Sequence, residues 1–406
     1  MAKPNGKHPR DVVIVGAART PIGRFMGALS PLPATQLGSV AVRAAVERAR
    51  IDPAAVEEVL FGEVVAAGSG QAPARQVSIG AGLPASVGAV TVNKVCGSGL
   101  EAVMLATNAI KVGDGEVYVA GGMESMSSAP YLMPNGRNGA RYGHTQLLDS
   151  IIRDGLWCPF EDHLMGHAAE FIADKLEVTR EEMDTFALNS HRKAIAAIDA
   201  GKFKHEIAPV EIKDGKGRVT IVDTDEGPRR DTSLEALAKL KPAFKPDGRV
   251  TAGNAPGLND GAAAVVLTSR EYAEAHGLTP LAKIVGHTHA AVEPLWLFIA
   301  PARAVPRLLD KIEWKLEDAD LIEINEAFAA QVLADARELE QKGHAWDWDR
   351  VNVNGGAVAL GHPVGASGAR VLVTLLHALQ DRGKERGIAT LCLGGGEAVA
   401  MAVEME

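Results

Sequence analysis

Residues 41–67 read AVRAAVERARIDPAAVEEVLFGEVVAA, and residues 304–330 read AVPRLLDKIEWKLEDADLIEINEAFAA. Laid side by side without a gap, both pass from apolar residues at helical spacing, through a turn, into a short apolar run. Farther on, VCGSG from Val95 faces VGASG from Val364, and AGGMES from Ala120 faces LGGGEA from Leu393. The order is the same in both copies. One unit of helix, strand, glycine-rich turn, helix and strand therefore occurs twice, the signature of a duplicated α/β fold. The runs DVVIVGAA, GEVYVAGG, DGAAAVVLTS and ATLCLGGG show no polar alternation, as expected of strands buried on both faces. GSVAVRAAVERAR and GLEAVMLATNAIKVG supply helices to cover them. Between about Pro130 and Val250 the text turns charged and loop-rich (RNGARYGH, KDGKGR, DEGPRRD) around one helical segment, EEMDTFALNSHRKAIAAIDAG. That stretch reads as an inserted subdomain.

The chain has 406 residues, enough for two or three domains, with 47% hydrophobic and 23% charged residues. A net charge of −9 without a Lys/Arg stripe argues against nucleic-acid binding. Three cysteines cannot build a disulfide framework, and Cys96, Cys158 and Cys392 lack the paired short spacings of zinc sites, so free thiols and no metal are expected. The basic start MAKPNGKHPRD leads straight into a strand without the apolar core of a signal peptide, and no 18 apolar residues run together. A cytoplasmic enzyme acting on small molecules is expected.

Cys96, in VNKVCGSGLEAVMLATNAI, lies between a short apolar strand and an amphipathic helix. A thiol at a helix N-terminus is biased towards thiolate, and glycines on either side of Ser98 admit close approach of a substrate. It is either a nucleophile or a small buried core residue. The second copy has Gly365 where the first has Cys96. Just before it, NGGAVALGHPVGASG holds His362 in a glycine-rich loop stiffened by Pro363, a setting that suits a catalytic imidazole. Cys392 follows a strand and precedes Gly394, Gly395 and Gly396, whose N–H groups can form an anion-binding turn. It is a second reactive thiol or a packed one. Cys158 has neither setting and reads as structural. Asn325 opens NEAFA at a strand end, where it orients a water or carbonyl, caps a helix, or both.

VNKVCGSGLEAV, NEAFA, NGGAVALGHPVGASG and CLGGG, in this order, together with VIVGAARTPIGRF and AGNAPGLNDGAAA, resemble the signature blocks of the thiolases over nearly the whole chain. The resemblance implies a duplicated fold of two five-stranded mixed sheets with helices in layers and an inserted loop domain. The division is then 1–127 and 259–280 for the N-terminal half, 128–258 for the inserted domain (coenzyme A binding and oligomer contacts) and 281–406 for the C-terminal half. It implies acyl transfer between coenzyme A thioesters, the condensation of two acetyl-CoA to acetoacetyl-CoA and its reversal. Cys96 becomes the acylated nucleophile, His362 takes its proton, and Cys392 moves a proton at the α-carbon of the second acyl group. One oxyanion hole forms from the N–H groups of Cys96 and Gly394, the other from His362 and a water held by Asn325. Arg229, Phe244 and Ala252 are implied along the coenzyme A path, and Met165, Ala327, Phe328 and Leu297 around the acyl group. No permanently bound cofactor is implied, and family members are dimers or tetramers, here expected as a homotetramer of fatty acid metabolism.

The sequence departs from the short-chain biosynthetic pattern at Pro256 and Ala236, where serines are usual, and at Leu164, where a histidine is. Leu297-FIAP replaces a methionine and GTGP, and Ala398 replaces a late glycine. These changes leave open a degradative 3-ketoacyl-CoA thiolase acting on longer chains. A nicotinamide-dependent oxidoreductase is a weaker alternative, because VVIVGAARTPIG reads as a strand and a following turn in which Gly16 and Gly23 do not complete GxGxxG. A non-catalytic carrier would be expected to lack one of Cys96, His362 and Cys392, and a cysteine hydrolase would not need the second thiol.

Overall fold

A computed structural model describes residues 8–406; most of the basic N-terminal stretch, residues 1–7, lies outside the described residues. The first unit runs β1 (Val12–Arg19), α1 (Ala34–Ala49), β2 (Glu58–Gly62), α2 (Pro73–Gly80), β3 (Gly88–Val92), α3 (Ser98–Val112) and β4 (Val117–Ser125). Residues 126–258 then intervene with α4 (Met165–Lys175) and α5 (Arg180–Asp199) before β5 (Asn259–Ser269) closes the unit. The second unit runs β6 (Ala282–Ala291), α6 (Pro301–Ile312), β7 (Leu321–Ile324), α7 (Ala329–Gln341), α8 (Val364–Arg382), β8 (Arg386–Leu393) and β9 (Glu397–Met405).

The strands lie in the order β7-β8-β9-β6-β1-β5-β4-β2-β3. The outer pairs β7–β8, β4–β2 and β2–β3 are parallel and the rest antiparallel, giving each unit the same mixed arrangement. The fifth position of the second unit shrinks to a parallel bridge between Val351 and Ile322. The two units meet edge to edge through only two residue pairs, Val13 with Lys283 and Ile14 with Ala282, so the sheets are continuous at that seam.

Period-two patterning places the layers. On β5, Ala263, Val265 and Leu267 face the central core, while Ala262, Ala264 and Val266 face α1. On β9, Val399, Met401 and Val403 face the same central core, and Ala398, Ala400 and Ala402 face α6. Helices α3 and α8 fill that centre, touched by inner faces of both units, which is why α8 is buried continuously from Val364 to Leu376. They cross at paired glycines: a Cβ on Gly99 would lie 2.8 Å from the Ala369 nitrogen, and one on Gly368 2.5 Å from the Leu100 nitrogen.

Ladder register corrects one part of the repeat. Met123 pairs with Ala262 and Cys392 with Ala398, at matching places in β4–β5 and β8–β9. The partner of Cys392 in the first unit is thus Met123, and the match of Ala120 with Leu393 is four residues out of step. Glycines drew that alignment together although Gly121 and Gly122 sit inside β4 whereas Gly394–Gly396 lie beyond β8. The turn after β1 also departs from a dinucleotide-binding plan. It leads to the short strand Gly23–Arg24, and α1 starts only at Ala34, leaving no helix N-terminus for a pyrophosphate.

Candidate active site

The start of α3, the loop before α8, the ends of β7 and β8, and five places within residues 126–258 converge on one cavity of about 410 Å³. Cys96, His362, Cys392 and Gly394 line it, as do Met165, Phe244, Leu297, Ala327 and Phe328. The wall is otherwise mostly apolar, and Leu164 and Pro256, two departures from the short-chain pattern, are part of it.

Cys96 sits one residue before the N-cap of α3, in a turn that leaves Val95 at φ 47°, a left-handed conformation that a β-branched residue adopts only under constraint. Ser98 supplies the constraint: its hydroxyl accepts from the Lys94 N–H at 2.8 Å and donates to the Val95 carbonyl at 2.6 Å. The backbone N–H groups of Gly394 and of Cys96 itself point at the sulfur. Even so, burial dominates and pushes the thiol up to about 11, with Glu124 adding to the effect. Loss of solvent in this pocket thus works against the thiolate bias expected of the helix start and of the two N–H groups.

His362 is held from both sides. Its backbone N–H donates to Asn259 Oδ1 at 2.9 Å, and its Nδ1 lies 2.6 Å from Ser367 Oγ. The Ser367 hydroxyl donates to the Pro363 carbonyl at 2.9 Å, so its lone pair receives Nδ1–H. That assigns the proton to Nδ1 and leaves Nε2 bare, facing Asn325 Nδ2 at 3.5 Å. Burial, then the charge of Arg370, lowers the imidazole to about 3, so it rests neutral.

Cys392 is 1% exposed at the end of β8, and burial first, then Cys96 and Asp335, holds its thiol well above the usual range. Asn325 is fully buried, and its Oδ1 accepts from Arg370 Nη2 at 3.4 Å. It does not cap α7, whose N-cap is Phe328, so of its two readings the capping one is removed. Glu124, unremarked in the sequence, accepts from the Val64, Val65 and Gly365 N–H groups and so ties β4 to the first turn of α8; burial and Glu63 push it up to about 8. Cys158 is buried in a short two-stranded ladder opposite His163 and is not among the residues that line this cavity.

Arg229 and Ala252 line a neighbouring cleft of about 280 Å³ with Arg24 and His191. Residues 255–258 form a wall common to both cavities. Ala236 lines neither; its N–H is capped by Ser233 Oγ in a short helix. Sequence reasoning missed Ser367, Asn259, Arg370 and Glu124. The available signal was a polar residue inside an otherwise apolar run, as with Arg370 in ASGARVLVTLL. Among the described residues no group of three or more His, Cys, Asp or Glu is placed to hold a metal ion, and no helix is long and apolar enough to cross a membrane.

The model of the thiolase N-terminal domain matches residues 12–271, and that of the thiolase C-terminal domain matches residues 278–405. The chain is 56% identical over 392 residues to the acetyl-CoA acetyltransferase of Pseudomonas aeruginosa, covering 97% of this chain and 98% of that one. It is 53% identical to the acetyl-CoA acetyltransferase of Cupriavidus necator, covering 97% and 99%. The crystal structure of the Bacillus anthracis acetyl-CoA acetyltransferase superposes with a TM-score of 0.95 at 45% identity, covering 99% of this chain and 100% of that one.

Proposed function

The chain belongs to the thiolase family, and from that premise we propose that it is an acetyl-CoA acetyltransferase, joining two acetyl-CoA into acetoacetyl-CoA and free coenzyme A and running the reverse thiolysis. The observation that carries the reading is the meeting of two thiols, a neutral imidazole with its outer nitrogen bare, and the Gly394 N–H in one apolar cavity.

In the thiolytic direction Cys96 gives its proton to His362 Nε2 as its sulfur attacks the 3-keto carbon. The Cys96 and Gly394 N–H groups take the developing alkoxide. The carbon–carbon bond then breaks, and the enolate of acetyl-CoA receives a proton from Cys392, a role suited to a thiol kept protonated by burial. While that enolate exists, its oxygen is held by the Nε2–H of His362 and by a water on Asn325. Free coenzyme A finally attacks acetyl-Cys96, its thiol proton passing to Cys392 and the departing Cys96 sulfur recovering its own from His362. Every group is thereby restored.

Coenzyme A and its thioesters enter as substrates, with no bound cofactor in the scheme. Arg229, Phe244 and Ala252 are assigned to the coenzyme A path, and Met165, Leu297, Ala327 and Phe328 to the acyl group, with residues 128–258 as the cover. We place the enzyme in the cytoplasm as a homodimer or homotetramer. The half-exposed Val90 on β3, whose outer edge has no partner strand among the described residues, supports association.

Absorbance of the acetoacetyl-CoA enolate after addition of coenzyme A tests the reading. It should decay with wild type and with neither Cys96→Ala nor Cys392→Ala. An inert wild type that instead cleaves a longer 3-ketoacyl-CoA would remove the acetyl assignment and keep the chemistry.

A further inference from the structure

Arg370 projects from the middle of the most buried helix, α8, and is 1% exposed; Glu323, on β7, is equally buried. The two face each other at 3.6 Å, Nη1 to Oε2, too far for a hydrogen bond. Nε and Nη1 of Arg370 and both oxygens of Glu323 have no hydrogen-bond partner, and the 3.6 Å ion-pair contact is all that joins the two groups. A buried guanidinium–carboxyl pair without hydrogen bonds is expensive, and a closer bidentate pair would be the stabilising arrangement. Nη2 instead turns to Asn325 Oδ1 at 3.4 Å. A guanidinium only donates, so the amide atom facing it must be the oxygen, and the amide NH₂ is thereby directed to the opposite side, where His362 Nε2 lies 3.5 Å away.

We propose that Arg370 is a positioning residue for the reaction: by fixing which end of the Asn325 amide faces His362, it builds the donor side of the enolate site, at the expense of a closer, hydrogen-bonded pairing with Glu323. The inference rests on the acyl-transfer reading above and deepens it. Arg370 also faces Glu326, Glu206 and Arg19, and its charge opposes a second proton on His362.

The test is a double-mutant cycle in the full-length enzyme, with thiolysis of acetoacetyl-CoA by coenzyme A as the assay. R370M/E323Q removes the guanidinium and the ionisable carboxyl facing it together. We expect kcat to fall about 10–100-fold with KM for acetoacetyl-CoA little changed, and adding Asn325→Ala to cost almost nothing beyond Asn325→Ala alone, because both act on one group. The acid limb of the kcat–pH profile should move to higher pH, since His362 loses a facing positive charge. Arg370→Lys keeps the charge and loses the fork. It should hold the acid limb near the wild-type position, lose kcat by an intermediate factor and remain non-additive with Asn325→Ala, and it carries the cycle if the neutral pair does not fold. Multiplicative losses with Asn325→Ala, or wild-type kcat in R370M/E323Q, would overturn the proposal while leaving an active wild type as a thiolase. An inert wild type strikes the underlying reading instead.

Discussion

Cys96 is a half-buried thiol whose surroundings work against ionisation, so its reactivity depends on passing a proton to His362 at the moment of attack rather than on a standing thiolate. Towards a reagent that offers no such concerted transfer, labelling should track the small ionised fraction. Iodoacetamide modification of Cys96, followed by mass spectrometry of the intact chain, should therefore climb roughly tenfold per pH unit between about pH 7 and 9. A rate already level in that range would show an ion pair with His362. For Asn325→Ala, loss of one donor to a developing oxyanion should lower kcat by about 10²–10³, with KM nearly constant; full activity would remove the residue from the enolate site. At this scale the sequence was readable where the residue type is itself reactive: two cysteines beside glycines and one histidine in a rigid loop stand out from their neighbours. Asn259 did not, because its hydrogen bond to His362 forms only when β5 meets the loop before α8, and Ser367 did not, because a serine among small residues looks ordinary until the turn brings its hydroxyl to the imidazole.

Helices α3 and α8 cross at Gly99 and Gly368, and the approach of their backbones is what lets Cys96 and His362, one at the head of each helix, share a cavity. Gly368→Ala puts a carbon 2.5 Å from the Leu100 nitrogen, where no flexible side chain can yield. It should destabilise the protein by about 1–3 kcal/mol, read as a lowered melting temperature. An unchanged melting temperature would mean that the crossing has slack. A contrasting case is α5, which opens with a capping box of Thr179 and Glu182 far from the reaction. Thr179→Ala should cost about 1 kcal/mol and leave kcat untouched. Helices and fully buried strands were legible from period and from lack of alternation. Strand β6 was not, since Lys283, His287 and His289 interrupt its apolar text at the seam between the units. The four-residue slip at Leu393 has a similar cause: glycine-rich text looks alike inside a strand and beyond one, and only ladder register tells them apart.

The whole molecule draws its cavity from both units and from residues 126–258, and each unit alone holds only part of the constellation: Cys96 in the first, His362, Cys392 and Asn325 in the second. Duplication was legible because the same helix–strand text recurs. The shared cavity was not, because no local pattern encodes how two copies face each other. Enclosing this much polar chemistry leaves a signature in the stability of the protein. Burial pushes Glu124 and Glu323 up to about 8, from an ordinary value near 4.5, so the folded chain holds two protons that the unfolded chain has released. Such groups stabilise the fold at low pH, and their contribution is lost as pH rises towards 8, by up to roughly 1.4 kcal/mol per unit for each. Buried His191 and His287, lowered to about 4, and His362, lowered to about 3, act in the opposite sense: the unfolded chain takes up the protons they refuse, but only below about 6.5. Above 6.5 the imidazoles are neutral in both states and no longer offset the carboxyls. The melting temperature should therefore fall between pH 6.5 and 8.5, and Glu323→Gln, which cannot ionise, should flatten part of that fall. A melting temperature level over this range in the wild type would mean that both carboxyls are already ionised in the folded protein, and that the gap between Arg370 and Glu323 closes in solution.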